Sequence, residues 1–354
     1  MRRRDGLGAG TALAVLGAAG CGEQARPVGV VALPERSLTY APLLLAVKRG
    51  LWGEPPVRLA VMQRADGRGV AEAVVGGAAL VGAMALADLV GAVTDGAQLL
   101  GIGALTARLD CHVVVTTARS TPPPTLAAIH LGEWRGLRMG VESGADGTES
   151  FVRLSGVWSE ATEGLGPRAP ERAIAASDEV EGEVRWTELE TDAALAAALA
   201  DRRLEGFIGR PYAAAQALTY GSGQLGHSPA EGPERSVLEA LPTVLVARRD
   251  VSSAGEVDLI RRIVQAAARG GRELTGSGGR RMAAEALPER DSLHLALAQR
   301  LMAADAATTA YALDGRLGEE PVRRYLELSA TAWAGRVARA DASVGALITN
   351  RFSG

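Results

Sequence analysis

Val28-Gly29-Val30-Val31-Ala32-Leu33 is a short apolar run set between Pro27 and Pro34. It precedes Pro42-Leu43-Leu44-Leu45-Ala46-Val47-Lys48-Arg49, in which Leu44, Leu45 and Val47 recur at helical spacing before Gly50. A run without alternation fits a strand buried on both faces. A periodic segment that stops at glycine fits a helix and its left-handed end. The two together predict one strand-then-helix unit, and the unit recurs. Val57–Met62 reads as a strand and Gly69–Val75 as a helix. Ala79–Met84, Leu86–Asp95, Leu99–Leu105 and His112–Thr117 read as strand, helix, strand and a fifth strand. Such alternation implies parallel strands joined by right-handed helical crossovers, hence an α/β sheet.

Arg119–Thr125 contains Ser120, Thr121 and three consecutive prolines, the clearest linker signal in the chain. A second α/β set follows it. Leu137–Glu142 reads as a strand, Gly147–Ser159 as a helix, Val184–Leu189 as a strand and Asp192–Asp201 as a helix. Gly206–Gly209 and Pro211–Tyr220 form one more strand and helix, and Thr243–Arg248 is a last strand. Gly164–Gly182 and Gly221–Pro233 read as polar surface loops. The remainder is helical, roughly 252–274, 277–287, 292–313 and 319–340. One lobe is therefore interrupted by the second and completed by the tail. The chain is expected to cross between lobes near Thr117–Thr125 and near Leu241–Arg248, forming a hinge beside a cleft. The expected division is 21–118 with 246–354 for lobe 1 and 119–245 for lobe 2.

The chain has 354 residues, 47% apolar and 22% charged. That is a globular balance, which excludes disorder and collagen-like repeats, and the length suits two lobes. Aromatic content of 4% and a net charge of -3 argue against a nucleic-acid partner. Met1-Arg2-Arg3-Arg4 is a positive start, and Leu7–Gly20 is an uncharged stretch too short to span a bilayer as a helix. Ala18-Ala19-Gly20-Cys21 is similar to the lipobox of bacterial lipoproteins. Residues 1–20 are thus expected to be a lipoprotein signal peptide, with Cys21 lipidated and the membrane reached only through that anchor. A plain cleaved signal is the alternative. Cys111 is the only other cysteine, so no disulfide framework or cysteine-rich metal site is expected. It reads as an ordinary buried thiol.

Four segments carry a family resemblance. They are Tyr40-Ala41-Pro42-Leu43-Leu44-Leu45-Ala46-Val47-Lys48-Arg49-Gly50-Leu51-Trp52; Gly76-Gly77-Ala78-Ala79-Leu80-Val81-Gly82 with Gly96-Ala97-Gln98; Leu131-Gly132-Glu133-Trp134-Arg135-Gly136-Leu137-Arg138-Met139-Gly140-Val141; and Leu204-Glu205-Gly206-Phe207-Ile208-Gly209-Arg210-Pro211-Tyr212. In order and spacing the set resembles the nitrate/sulfonate/taurine/thiamine-precursor group of ABC-transporter substrate-binding proteins. The resemblance implies a two-lobed type II periplasmic-binding-protein fold with a hinge and a C-terminal helical tail. It also implies an extracytoplasmic monomer that hands a small polar solute to ABC permease subunits. Two positions depart from the group: Leu80, where aspartate is common, and Arg210, where glutamate is common.

Candidate ligand contacts come from the loops that follow strands, where helix N-termini converge. Thr39 and Tyr40 offer hydroxyls in the first loop, although Thr39 also suits a helix cap. Asp88 follows the third strand, and a first-turn role beside the helix dipole fits it as well. Glu142-Ser143-Gly144-Ala145-Asp146-Gly147-Thr148-Glu149 opens a helix. Ser143, Gly144 and Thr148 there suit an anion cradle or an ordinary cap, with Asp146 or Thr148 as the cap. Glu142 and Glu149 would oppose an anion if they faced the cleft. Arg210 suits a bidentate anionic contact or a solvated surface position, and Tyr212 suits stacking or half-buried packing. Trp134 and Trp186 read as core.

Enzyme signatures are missing from the sequence: there is no H-E-x-x-H, no G-x-S-x-G, no Walker A sequence and no complete dinucleotide fingerprint. No cofactor and no metal is expected. The expected function is a lipid-anchored solute receptor of an ABC importer. The alternatives are a same-fold enzyme of thiamine-pyrimidine or menaquinone-type biosynthesis, and a sensor or envelope lipoprotein that has lost ligand binding.

Overall fold

The computed structural model describes residues 28–34, 37–54, 57–118, 136–142, 147–155, 184–189, 191–226, 229–232, 234–286, 296–297, 299–300, 302–303, 310–332 and 343–353. Residues 1–20, Cys21, the proline-rich linker at 119–125 and Trp134 lie outside them, as does the loop at 164–182.

The first sheet contains β1 (Val28–Leu33), β2 (Arg58–Gln63), β3 (Val81–Ala85), β4 (Leu99–Ala104) and β10 (Thr243–Arg248), in the order β2-β1-β3-β10-β4. The second contains β5 (His112–Thr116), β6 (Arg138–Glu142), β7 (Arg185–Leu189), β8 (Gly206–Gly209) and β9 (Gly223–Leu225), in the order β7-β6-β8-β5-β9. The strand-then-helix units pair in parallel, β1 with β2 and β3, and β6 with β7 and β8. Each sheet also takes one strand the other way. β10 runs antiparallel to β3 and β4, and β5 antiparallel to β8 and β9. The sheets are therefore mixed, because both antiparallel strands enter straight from a crossing rather than through a helix.

That arrangement corrects two expectations. β5 belongs to the second sheet, so the first crossing is Leu105–Cys111, earlier than Thr117–Thr125. A strand run does not reveal which sheet it joins, since pairing is settled by tertiary contact. The tail also differs from its expected helices. Its described helices are α8 (Ala254–Glu273), α9 (Ser277–Ala284), Glu319–Ala332 and a short turn at Val344–Leu347. Residues 310–318 are not helical, although 292–313 was expected to be. Tyr311 instead bridges Thr106 in antiparallel fashion.

The crossings are bound side by side. Leu105 and Thr106 donate their N–H groups to the Thr243 carbonyl at 2.8 and 3.4 Å, and Thr243 N–H donates to Thr106 Oγ1 at 2.8 Å. The tail closes the other side: Ala107 N–H donates to Ala310 O at 2.6 Å and Ala312 N–H to Leu105 O at 3.0 Å.

Local chemistry explains the helices around this frame. α1 (Ala41–Arg49) carries proline in its first turn and ends on Gly50 at φ 63°, a conformation glycine adopts without a Cβ clash. α2 (Gly67–Val75) is capped by Asp66, whose side chain accepts from Gly69 N–H at 2.7 Å. α8 is capped by Ser253, whose Oγ accepts from Glu256 N–H at 3.2 Å and donates to Glu256 Oε2 at 3.0 Å. α1 and α8 bury Leu43, Leu45, Ile260 and Ile263 against one face of the first sheet. The other main core runs through both lobes. It joins Leu86 and Leu89 to Leu109, Cys111 and Val113 of the first crossing, and to Val141, Phe151 and Ile208. Trp186 packs in the same core and Cys111 is fully buried, as expected.

Gly270 of α8 lies so close to α1 that a Cβ there would sit 2.0 Å from the Pro42 carbonyl oxygen. Gly270→Ala is expected to destabilise the fold by about 1–3 kcal/mol, the usual range for overpacking. Gly255→Ala, in the same helix with no atom within 4 Å of its Cβ, is expected to be neutral or stabilising by up to about 1 kcal/mol. Paired urea melts check the contrast. Equal melts for both variants would mean that α1 and α8 do not meet this closely.

Candidate functional site

The cleft between the lobes is lined by Ser37 and Thr39 after β1, by Thr106, Arg108 and Asp110 of the first crossing, and by Asp192, Arg210 and Tyr212 of the second lobe. Thr243 and Tyr311 complete its wall. Its cavity measures about 20 Å³, close to the least that holds one water, about 10–15 Å³. In this conformation the cavity is too small for an organic solute.

One charge cluster organises the second-lobe wall. Arg210 follows β8 and stands at the N-cap of α6 (Pro211–Thr219) in extended conformation, which turns its side chain away from the helix axis. Its Nε donates to Glu142 Oε2 at 3.0 Å and its Nη2 to Glu142 Oε1 at 2.8 Å. Nη2 also lies 3.3 Å from Asp192 Oδ2, at the start of α5 (Asp192–Ala200). Arg210 is 2% exposed and Glu142 1%. Burial pushes the guanidinium below its usual range, to about 9, and two carboxylates beside it hold it charged at neutral pH. Nη1 then reaches across the cleft and donates to Ser37 Oγ at 3.0 Å. Arg210 is thus paired within its own lobe and bonded to the other while lining the cavity, so it is not the solvated surface arginine that was the other reading of it.

The other expected residues divide. Thr39 lies inside a short 3-10 turn, half-buried and facing the cleft. It is not a cap; Tyr40 holds the N-cap position of α1 without a side-chain cap bond. Tyr40 itself is fully buried in the first-lobe core and does not line the cavity. Tyr212 does line it, with its hydroxyl accepting from Gln216 Nε2 at 3.4 Å. Asp88 does not. It sits in the first turn of α3 (Leu86–Thr94), against Gly67, whose Cβ would fall 2.1 Å from Asp88 Oδ2. Burial, reinforced by the Asp88 charge, pushes the Tyr325 hydroxyl far above its usual range. Asp88 therefore serves the packing of α2, α3 and Glu319–Ala332. Thr148 opens α4 (Thr148–Leu154) and is fully buried, just after Gly147 at φ 88°. Ser143, Gly144 and Asp146 lie outside the described residues, and no cradle is drawn there.

Sequence reasoning missed Ser37, Asp192 and the first-crossing trio Thr106, Arg108 and Asp110. A signal did exist for the trio: two opposite charges interrupt apolar runs where the chain leaves one sheet for the other. Among the described residues no group of His, Cys, Asp and Glu is arranged to hold a metal ion. No described helix is long and apolar enough to cross a membrane.

Removing Arg210 leaves two buried carboxylates without their cation. Arg210→Met is expected to destabilise the fold by about 3–5 kcal/mol, as for other broken buried pairs. Arg210→Met combined with Glu142→Met is expected to recover much of that loss, since matched apolar replacement of a buried pair is often neutral. Chemical denaturation of the single and double variants decides. A double variant no better than the single one would show that the cluster is not the coupled unit described.

No family model matches the chain, and no curated protein matches it. Solved structures do. The ligand-binding component of an ABC-type import system from Staphylococcus aureus, solved with zinc bound, superposes with a TM-score of 0.64 at 12% identity, covering 93% of this chain and 98% of that one. The periplasmic aliphatic sulphonate binding protein of Escherichia coli gives 0.60 at 14% identity, with 92% of each chain covered. The periplasmic nitrate-binding protein of Synechocystis PCC 6803 gives 0.63 at 10% identity, with 93% and 87% covered. With two sheets, two crossings and a shut cleft already in place, this likeness assigns the chain the two-lobed type II periplasmic-binding-protein fold of those solute-binding components.

Proposed function

We propose that the chain is the extracytoplasmic solute-binding lipoprotein of an ABC importer, closing its lobes over a small polar solute and presenting it to the permease. The observation that carries the reading is the cleft itself. Its walls come from both lobes and its floor from the first crossing, and a hydrogen bond from Arg210 to Ser37 spans it. A site that both lobes complete is the geometry of binding by closure. The fold likeness to components that bind sulphonate or nitrate supports the same class of cargo. No bond-making chemistry is needed; differential affinity for the shut form suffices to drive closure. Cys21 supplies the anchor, and the small-residue run before it the processing site.

Thermal melts of the full chain against sulfonates, nitrate, pyrimidines and amino acids test the binding. A solute at about 100 times its Kd adds about 2.7 kcal/mol of stability, and solution scattering should record a smaller radius of gyration with it. Thr39→Val and Tyr212→Phe are each expected to weaken that solute about 5-fold, the effect of one hydrogen bond of about 1 kcal/mol. No stabilisation by any of these solutes would end the receptor reading. Separately, Cys21→Ser should move the protein from the membrane fraction to the soluble fraction. Unchanged membrane association would remove the lipid anchor from the proposal.

A further inference from the structure

A second cavity adjoins the cleft where the crossings meet the tail. Among the described residues its apolar lining comes from Ala104 at the end of β4, Ala107 of the first crossing, Pro242 just before β10, and Leu313, Leu317 and Pro321 of the tail. Thr106 and Tyr311 wall both cavities, and no other described lining residue is shared. The second cavity measures about 450 Å³ against about 20 Å³ for the cleft. That volume lies within the range of small-molecule sites, about 300–1,000 Å³. Backbone bonds fix the turn that forms it. Ala104 N–H donates to the Gly315 carbonyl at 3.2 Å, and Ala312 N–H to Leu105 O at 3.0 Å. Asn350 clamps Leu317, accepting from its N–H at 3.3 Å and donating to its carbonyl at 3.1 Å.

The charges around this cavity are unequal. Leu313 is 37% exposed, an apolar side chain left in water. Arg316 is the sole cation among the described lining residues. It is exposed, and its guanidinium makes no hydrogen bond or ion pair among the described residues. Asp314, the one carboxylate of the lining, is turned to its own backbone, where Oδ1 accepts from Arg316 N–H at 3.0 Å. The next carboxylates along the chain, Glu319 and Glu320, pair with Arg323 instead. An apolar cavity with an uncommitted guanidinium at its mouth is complementary to an apolar body that carries one anionic group. We propose that this cavity is a second small-molecule site, separate from the cleft, for an apolar carboxylate. The hydrocarbon body lies against Ala107, Leu313, Leu317 and Pro321, and the carboxylate pairs with Arg316. A neutral hydrocarbon would leave Arg316 unused, and a cation would be repelled by it. The site does not depend on the solute-receptor reading, since its ligand is not the cargo of the cleft.

Isothermal titration of the full chain with 2-naphthoate and octanoate is the test, with the matching primary amides as neutral controls and the matching amines as cationic ones. At least one carboxylate is expected to bind saturably, one molecule per chain, and its amide and amine at least tenfold more weakly. Arg316→Gln should weaken that carboxylate about tenfold, the loss of a charge-assisted contact. Its melting temperature should stay that of the parent, because the side chain is exposed, so the loss is not one of folding. Ala107→Trp fills the cavity and should abolish binding. Thr39→Val and Tyr212→Phe touch only the cleft and should leave it unchanged. No binding by either carboxylate overturns the proposal. So do amides that bind as tightly as the carboxylates, and so does full binding by Arg316→Gln, which would make Arg316 a solvated surface residue. Binding that is lost in Thr39→Val or Tyr212→Phe would place the molecule in the cleft and overturn it as well. The solute melts that test the receptor reading are unaffected by any of these outcomes.

Discussion

The whole architecture depends on two crossings lying against each other, with Thr243 as their clasp. Its carbonyl accepts from Leu105 and Thr106, and its N–H donates to the Thr106 hydroxyl. Because these bonds tie the end of β4 to the start of β10, both lobes leave the same short ladder. The tail adds a third strand of backbone bonds through Ala310 and Ala312, so the pivot is held on both sides.

That geometry separates two kinds of charge. The Arg210–Glu142–Asp192 cluster is buried in the second lobe. It shapes the second lobe and adds one hydrogen bond to Ser37 when the lobes meet. Arg108 and Asp110 belong to the floor and have no such pairing among the described residues. A charge network satisfied within the protein gives rigidity.

Much of the fold was legible in the sequence. Proline- and glycine-bounded apolar runs placed nearly every strand, and the interruption of one lobe by another followed from their order. The sheet to which β5 belongs was not legible, because His112–Thr116 is equally apolar whichever neighbours it takes. The site was less legible. Glu142 and Arg210 were each singled out, but 68 positions apart nothing in the chain shows that they neutralise one another. Tyr40 and Asp88 carry polar groups in the expected loops, yet packing turned both away from the cavity. Arg108 was passed over as part of a connection, since burial without a partner is a property of three dimensions only. The alanine-rich periodicity near Tyr311 predicted a helix, and pairing with the hinge strand prevailed over that local preference.

The position of β10 in the middle of the first sheet bears on how the chain is made. β10 separates β3 from β4, yet it leaves the ribosome well over a hundred residues after β4. At about 5–20 residues per second, the half-built first lobe waits on the order of ten seconds or more for its central strand. The strands of the second lobe, from β5 to β9, are contiguous and need nothing from later in the chain. The lobe that is synthesised first is thus completed last. During that interval β3, buried along its whole length in the finished protein, is an open apolar edge. An exported chain that is threaded unfolded and folds after release never passes through that stage.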